Sequence, residues 1–554
     1  MRILLITPPL TQLNTPYPAT AYLKGLFTQQ GHEVLQVDLG IEVADSVLSH
    51  DFLLSIGLSR QACLIEPIKR FLRGNDDTLA PRIVNRTLLP EGPRFSQLDP
   101  DNLEWAFGIG GTTDKAQHLA TLFIEDIADY IRQQVDPHFD LVRYAEYLSN
   151  DAPTFDPLYA ELQLPPSPVD RILLDRLQEH VAAFRPESVL ITIPFPGCLY
   201  GALRCGQWLK ANTSASVELG GGFPNTEWRQ LNEPRIYVFC HKITIDGHPE
   251  AIDHQPDFSD LPLDKYLSLS EMTNPMHRLW SQGRWNKMVM ARGYYWHRCA
   301  FCDTSLPYIA DYSAPKASTV VDHMQRVAEQ TGRSGFHFVD EALPPRLLHD
   351  VAEEIIRRGM AVSFWGNIRF EKAYTDELCQ LLAKAGMVAA SGGLEVASDR
   401  LLRLMDKGVT IQQTVDACRH LHNAGIMVHT YLMYGFPSET LQESIDALET
   451  VRRMFDEGIV QSAFWHRYAM TCHSPSGLHP ELFGARRTNN VLNPFCNNEV
   501  DWMPANGGSR QFNYDIDAVG SALRLATYNY MYGLGLDQDV RRWFPKKTLK
   551  LLHR

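Results

Sequence analysis

Lys287-Met-Val-Met-Ala291-Arg-Gly-Tyr294-Tyr295-Trp-His297-Arg-Cys299-Ala-Phe301-Cys302-Asp303 carries most of what this chain says about its architecture. Residues 287–291 form a short, mostly apolar run that reads as a buried strand. A glycine, a cluster of aromatic residues and two cysteines separated by two positions follow at once. A Cys-x-x-Cys pair on a loop can share one metal or form a reversible disulfide. Its place after the carboxyl end of a strand is where barrels put their chemistry.

Downstream the same rhythm continues. Apolar runs at 335–339, 361–365, 388–392, 427–432 and 462–468 alternate with helical patterns such as 320–330, 347–358, 375–385 and 440–455. Six strands alternating with helices, without an antiparallel hairpin signal, predict a curved parallel sheet or partial barrel over 286–472. Residues 473–554 read as a mixed extension of Pro/Asn-rich loops with a helix near 516–532.

Upstream, an apolar strand at 3–6, helical spacing over 19–30 and a strand at 33–38 make a βαβ start. Helical pieces (119–134, 172–184) fill an insertion over about 50–185. The pattern then resumes, with strands at 189–193, 217–219, 236–239 and 242–245 and a helix at 200–210. Gly220-Gly221-Gly222 stands just beyond a strand, where glycine lets a ligand approach the backbone. Taken alone, such a triplet is more often a plain tight turn. Residues 1–255 therefore predict a parallel sheet with a helical insertion, and 256–285 a linker. Cys418, His420 and His422 lie on one later helix, and Cys418 and His422 share a face, which permits a metal, but no third ligand is suitably spaced, so a solvated helix is expected.

The chain has 554 residues, enough at about 150 per domain for several folding units. Hydrophobic residues at 44% and charged residues at 21% exclude wholesale disorder. The formal charge of −13 argues against a nucleic-acid partner, whose phosphates require clustered Lys/Arg. No apolar run approaches the roughly 20 residues that span a bilayer, so no membrane partner is expected. The start, Met1-Arg-Ile-Leu-Leu-Ile-Thr-Pro-Pro, reads as a strand rather than a leader. Ten scattered cysteines form no disulfide framework, so a reducing cytoplasm is expected.

Arg292-Gly-Tyr294-Tyr295-Trp-His297-Arg-Cys299-Ala-Phe301-Cys302-Asp303 resembles the cluster loop of the radical S-adenosylmethionine (radical SAM) superfamily, in particular its cobalamin-binding-domain subgroup. The resemblance extends over roughly 1–40 and 185–475. It implies an α/β fold: an N-terminal Rossmann-like sheet of the cobalamin-binding type, a partial (β/α)6 TIM-like barrel and the C-terminal mixed extension. In the family a third cysteine precedes the pair. Here that position aligns with Tyr294, and the neighbouring Tyr295 is not a thiol either. Three thiolates normally hold a four-iron, four-sulfur cluster whose open iron binds the methionine amine and carboxylate. Two thiolates and a phenol hold iron less well, because a phenol ionises only near pH 10. His297 and Cys472 are the nearest substitute donors in the sequence.

What else the resemblance implies is residue-specific. Cys299 and Cys302 would ligate iron, and Phe301 would pack near the adenine. Asp340 and Glu341 would meet the methionine amine, Arg369 a carboxylate, and Glu395 an amine or ribose; Gly435 would lie near adenine. Pro194-Phe-Pro-Gly-Cys-Leu-Tyr-Gly201, Gly220-Gly221-Gly222 and Asp246-Gly-His-Pro-Glu250 resemble the subgroup's cobalamin domain. The Asp-x-His-x-x-Gly signature is absent, so no such histidine is expected to hold cobalt. The implied cofactors are an iron–sulfur cluster, S-adenosylmethionine and cobalamin. The implied partners are a small-molecule or peptide substrate and a reductant such as flavodoxin or ferredoxin. Two readings follow: a radical enzyme with an atypically ligated cluster, cobalamin-dependent methyl transfer being one form, or a cluster-less pseudoenzyme that binds small molecules or regulates. A thiol–disulfide or zinc site is a third, weaker reading.

Overall fold

The computed structural model describes residues 1–108, 111–149, 154–281, 283–488, 493–506, 508 and 510–553. Strand β1 (Arg2–Thr7) shows how the first unit is built. Its alternating side chains face opposite ways. Ile3 and Leu5 pack with Tyr22, Leu26 and Phe27 of the helix Ala19–Gln29, while Leu4 and Ile6 enter a larger core on the other face. Burial on both faces is what a parallel sheet requires. Strands β2 (Glu33–Asp38), β3 (Ser188–Thr192), β4 (Ser216–Gly220) and β5 (Lys242–Ile243) complete it in the order β2-β1-β3-β4-β5, all parallel. This doubly wound order reverses between β1 and β3, the crevice at which such sheets bind ligands. The helical insertion packs into the same core through Leu119, Phe123, Ile127 and Leu173.

Residues 236–239, expected as a strand, lie instead at the end of a short 3-10 helix, Pro234–Val238, with Phe239 in the turn that follows it. Glu233 caps it by accepting from Arg235 N at 3.0 Å, and Pro234 has no N–H to leave unpaired at the first position.

The second sheet contains β6 (Trp285–Met288), β7 (Gly335–Phe338), β8 (Ser363–Ile368), β9 (Met387–Glu395), β10 (Met427–Tyr434) and β11 (Ser462–Arg467). They are parallel and hydrogen-bonded in sequence order, forming the expected partial barrel. Phe336, Phe338 and Phe364 are fully buried beneath the outer helices, each worth about 1.5–3 kcal/mol of apolar burial. The first strand ends at Met288, short of the expected 291, because the Asp340 carboxylate captures the N–H groups of Met290 and Ala291 and draws the chain off the sheet.

The stretch read as a linker laces both cores: Phe258 and Leu261 enter the barrel core, Tyr266 and Leu267 the first. Tyr266 Oη also donates to Asp38 Oδ2 at 2.6 Å. Its short helix Pro275–Ser281 sits at the amino end of the barrel, where Asn274 Nδ2 donates to Gln461 O and His277 Nε2 meets Ser462 Oγ. In the extension, the helix Ile516–Tyr530 packs Val519, Leu523 and Ala526 into the barrel core. An antiparallel pair, β12 (Ala485–Arg487) and β13 (Trp502–Pro504), was not foreseen from the sequence: three-residue strands are too short to show alternation.

Candidate cofactor site at the barrel mouth

The cysteine loop is fixed by backbone bonds at both ends. Arg292 and Ser313 exchange N–H···O bonds of 2.8 and 2.9 Å, and Tyr294 N donates to Ile309 O. Ala300 N donates to Met405 O, tying the space between the cysteines to the turn beyond β9. Cys299 is fully buried and Cys302 half-buried. The two thiols act first on each other: their contact holds Cys299 below the ordinary thiol value and, with burial, pushes Cys302 well above it. Lys407 adds to the depression at Cys299.

Tyr294 is beside this pair. Its phenol is driven far above the ordinary value, first by burial and then by Cys299 and Cys302. The chain thus places a neutral phenol against the thiols, at the position where the resemblance to radical SAM proteins implies a third sulfur. The substitute donors lie elsewhere. His297 Nδ1 faces Tyr294 O at 2.8 Å, and Cys472 Sγ faces Asn497 O at 3.3 Å. Neither is among the largest influences on the Cys299–Cys302 pair. This donor set does not fit a cage of three thiolates.

A residue not singled out in the sequence dominates the local charge. Lys407, 6% exposed, sends Nζ to Glu395 Oε1 at 2.7 Å and lies over the Phe301 ring at 5.5 Å. Burial alone would lower its ionisation, but Glu395 and the two thiols outweigh burial and raise it. Its signal in the sequence was Asp406-Lys407-Gly408 after a strand and a helical turn, a pattern common to ordinary helix ends. Gly408 is required there. Its φ is +71°, and a Cβ would come within 2.0 Å of the Trp296 ring.

Arg369 is buried beneath the same turn. It donates to Lys407 O at 2.7 Å, pairs with Glu371 and stacks on Trp296 at 3.9 Å. Its guanidinium buttresses the Lys407 turn, so the carboxylate expected for it is already supplied by Glu371. Asp340 is likewise committed: its carboxylate accepts from Met290 N and Ala291 N at 2.9 and 2.7 Å, while burial raises it to about 7. Glu341 is exposed at the rim, raised by the surrounding protein and by Asp303. Gly435 adopts φ +85° and donates to Glu439 Oε2, whose burial raises it to about 7. Of the expected residues, the structure gathers Cys299, Cys302, Phe301 and Glu395 around Lys407.

A cavity of about 510 Å³ adjoins this loop. Gly220, Gly221 and Thr244 line it from the carboxyl edge of the first sheet, and Arg292, Pro307 and Tyr308 from the cysteine loop. Gly221 has φ +114°, and a Cβ there would lie 2.8 Å from Ile193 N and O, so no other residue fits. Gly222 is not on the wall; it begins the helix Gly222–Glu227. The volume suits a drug-sized ligand. A corrinoid with its nucleotide tail is larger, so only part of one fits inside. His248 lines the wall, but its ring is edge-on to Phe27 at 5.0 Å and meets Glu250 at 3.3 Å.

Among the described residues, Cys418, His420 and His422 are not brought together as a set of metal donors. Cys418 is buried in the barrel core, contrary to the expected solvated helix, and His420 Nδ1 is engaged by Tyr374 O. Among the described residues no helix is long and apolar enough to cross a membrane.

Residues 296–451 match the profile of the Radical SAM superfamily. An uncharacterised methyltransferase of Pyrococcus horikoshii is 24% identical over 147 residues, 26% of this chain and 32% of that protein. The anaerobic magnesium-protoporphyrin IX monomethyl ester cyclase of Rubrivivax gelatinosus is 29% identical over 174 residues, 31% of this chain and 30% of the cyclase. The matched region thus spans about a third of these relatives. Among solved structures, the radical S-adenosylmethionine methyltransferase TsrM from Kitasatospora setae, with cobalamin and [4Fe-4S] cluster bound, superposes with a TM-score of 0.44 and 15% identity. That superposition covers 65% of this chain and 81% of TsrM.

Proposed function

We propose that the chain, whose residues 296–451 match the Radical SAM superfamily, binds S-adenosylmethionine at the barrel mouth and a corrinoid partly within the adjoining cavity, the cofactor pair of a methyl-transferring protein. The observation that carries this reading is the shared wall. Tyr308 lines the cavity and also lies within electrostatic reach of Cys302 and Glu341, so ligands in the two places would touch. The Lys407–Glu395 pair supports the methionine end. An amino acid's ammonium and carboxylate are the complements of these two groups, and inserting it replaces one ion pair with two. Phe301, whose ring centroid lies 5.5 Å from the cation, would offer a ring for the adenine. Residues around the cavity would hold and orient the corrinoid, a carrier of methyl groups when bound.

Tyr294 favours a second reading, a cluster-free binding protein. One set of experiments separates the two. Calorimetry with S-adenosylmethionine and absorbance titration with hydroxocobalamin should show binding to both; failure of both refutes the proposal. Anaerobic reconstitution followed by iron and sulfide counting should give little iron in the native chain and more in Tyr294→Cys. If Tyr294→Cys takes up no more iron than Cys299→Ala, the assignment of Tyr294 to the missing thiol's place is wrong. Release of 5′-deoxyadenosine or methyl transfer by the native chain would reject the cluster-free reading.

A further inference from the structure

The cavity beside the cysteine loop carries charges of both signs, and they are unequally matched. Glu218 accepts from Thr244 Oγ1 and meets Lys242 Nζ at 3.3 Å, and Asp246 pairs with Arg229. Asp311 is exposed to water. Among the described residues that line the cavity, Arg292 is the single Lys or Arg.

Arg292 is held in place, yet its charge is not satisfied. Its N–H and C=O both bond to Ser313, which fixes the backbone at the start of the cysteine loop. The side chain is 28% exposed and forms part of the cavity wall. The nearest carboxylate among the described residues, Asp253, has Oδ2 3.8 Å from Nη1, too far for a hydrogen bond. Nε is buried and has no partner. Elsewhere near the mouth the chain matches its guanidinium groups directly: Arg229 with Asp246, and Arg369 with Glu371. A guanidinium offers five donors in a planar fork, the shape that meets a phosphate through two parallel bonds. Leu23, Val289 and Ile252 supply apolar wall around the same space, so an ionic contact there is less weakened by water than one on an open surface.

A corrinoid brings one anion to this cation: its peripheral side chains are neutral amides, and its nucleotide tail contributes a phosphodiester. We propose that Arg292 binds the phosphodiester of the corrinoid's nucleotide tail and so selects cobalamins over corrinoids that lack the tail phosphate. The inference rests on the corrinoid reading above and adds the residue that reads the ligand's charge. Asp253 is half exposed and stays solvated when the phosphate arrives, so no carboxylate is stranded.

Absorbance titration of the full chain with hydroxocobalamin, cobinamide and cobinamide phosphate tests this, since the last two differ only in the phosphate. The native chain should bind all three. Hydroxocobalamin and cobinamide phosphate should bind at least about tenfold more tightly than cobinamide, the worth of one charge-assisted contact. Arg292→Met should abolish the preference by weakening the two phosphate-bearing corrinoids while cobinamide is held as before. Arg292→Lys keeps the charge and loses the fork; it should retain part of the preference, and it gives the readout if Arg292→Met does not fold. Arg346→Met, at the exposed start of the helix Pro345–Arg358, should leave the preference intact. Equal affinity for cobinamide and its phosphate, or a preference undiminished in both Arg292 variants, overturns this inference and leaves the corrinoid reading standing. Failure of all three corrinoids to bind overturns both.

Discussion

Replacing Lys287 with Met removes a buried charge without shortening the side chain much, and its effect on stability follows from the structure. In the unfolded chain this lysine ionises near 10.5; in the fold, burial with no compensating anion brings it to about 7. That difference corresponds to about 5 kcal/mol against the charged form. Because the folded value is the lower one, the destabilisation is fully present below about pH 7. It fades as pH rises from 7 to 10.5, where the unfolded chain still binds a proton that the folded chain has released. Lys287→Met should therefore be the more stable protein by about 4 kcal/mol at pH 7 and by less than about 1 kcal/mol at pH 10. For a unit the size of the barrel this is a rise in Tm of about 10 °C at neutral pH. Thermal unfolding at several pH values, followed by the fluorescence of Trp280, Trp285 and Trp365, reads it directly, since all three rings lie in one cluster at the barrel's amino end. The difference between variant and native chain cancels the other groups that titrate in this range. A Lys287→Met protein less stable than the native chain at pH 7, or a gap that does not close toward pH 10, refutes the account of an unpaired ammonium.

Glu395→Gln leaves the Lys407 ammonium buried beside the thiols without its carboxylate. It should destabilise the chain by about 3–5 kcal/mol in denaturant titration, and Glu395→Gln/Lys407→Met should recover part of this. Asp340→Ala strands the N–H groups of Met290 and Ala291 at the start of the cysteine loop. A loss of about 1–3 kcal/mol is expected, with faster amide exchange at those two positions. Thr440→Ala removes a capping box in which Thr440 and Glu443 bond reciprocally, and should lower stability by about 1 kcal/mol.

The architecture was largely readable because it rests on period and order. Alternating strands and helices gave both parallel sheets, and the βαβ start gave the first. Short elements are not readable: the four apolar residues 236–239 fit either period and read as a strand where the structure has the 3-10 helix Pro234–Val238, and the β12–β13 pair shows no period. The candidate site was readable only in part. Cys299, Cys302 and Tyr294 are local in sequence and meet in space. Arg369 and Asp340 were assigned to a ligand from their place after a strand, yet their partners are Glu371, the Lys407 turn and two backbone amides. A strand-end position says that a side chain is near the mouth, not what already satisfies it.

Sequence by itself determined the two sheets, the cysteine pair and the tyrosine where a third thiol was expected, because covalent order and hydrophobic period are properties of the chain alone. Tertiary structure alone decided that Lys407 reaches Glu395, that the first sheet's glycines and the cysteine loop enclose one cavity, and that Lys287 is left without an anion. Those are contacts between residues distant in sequence or facts about what surrounds a charge. They exist only once separate strands are brought side by side and water is removed between them.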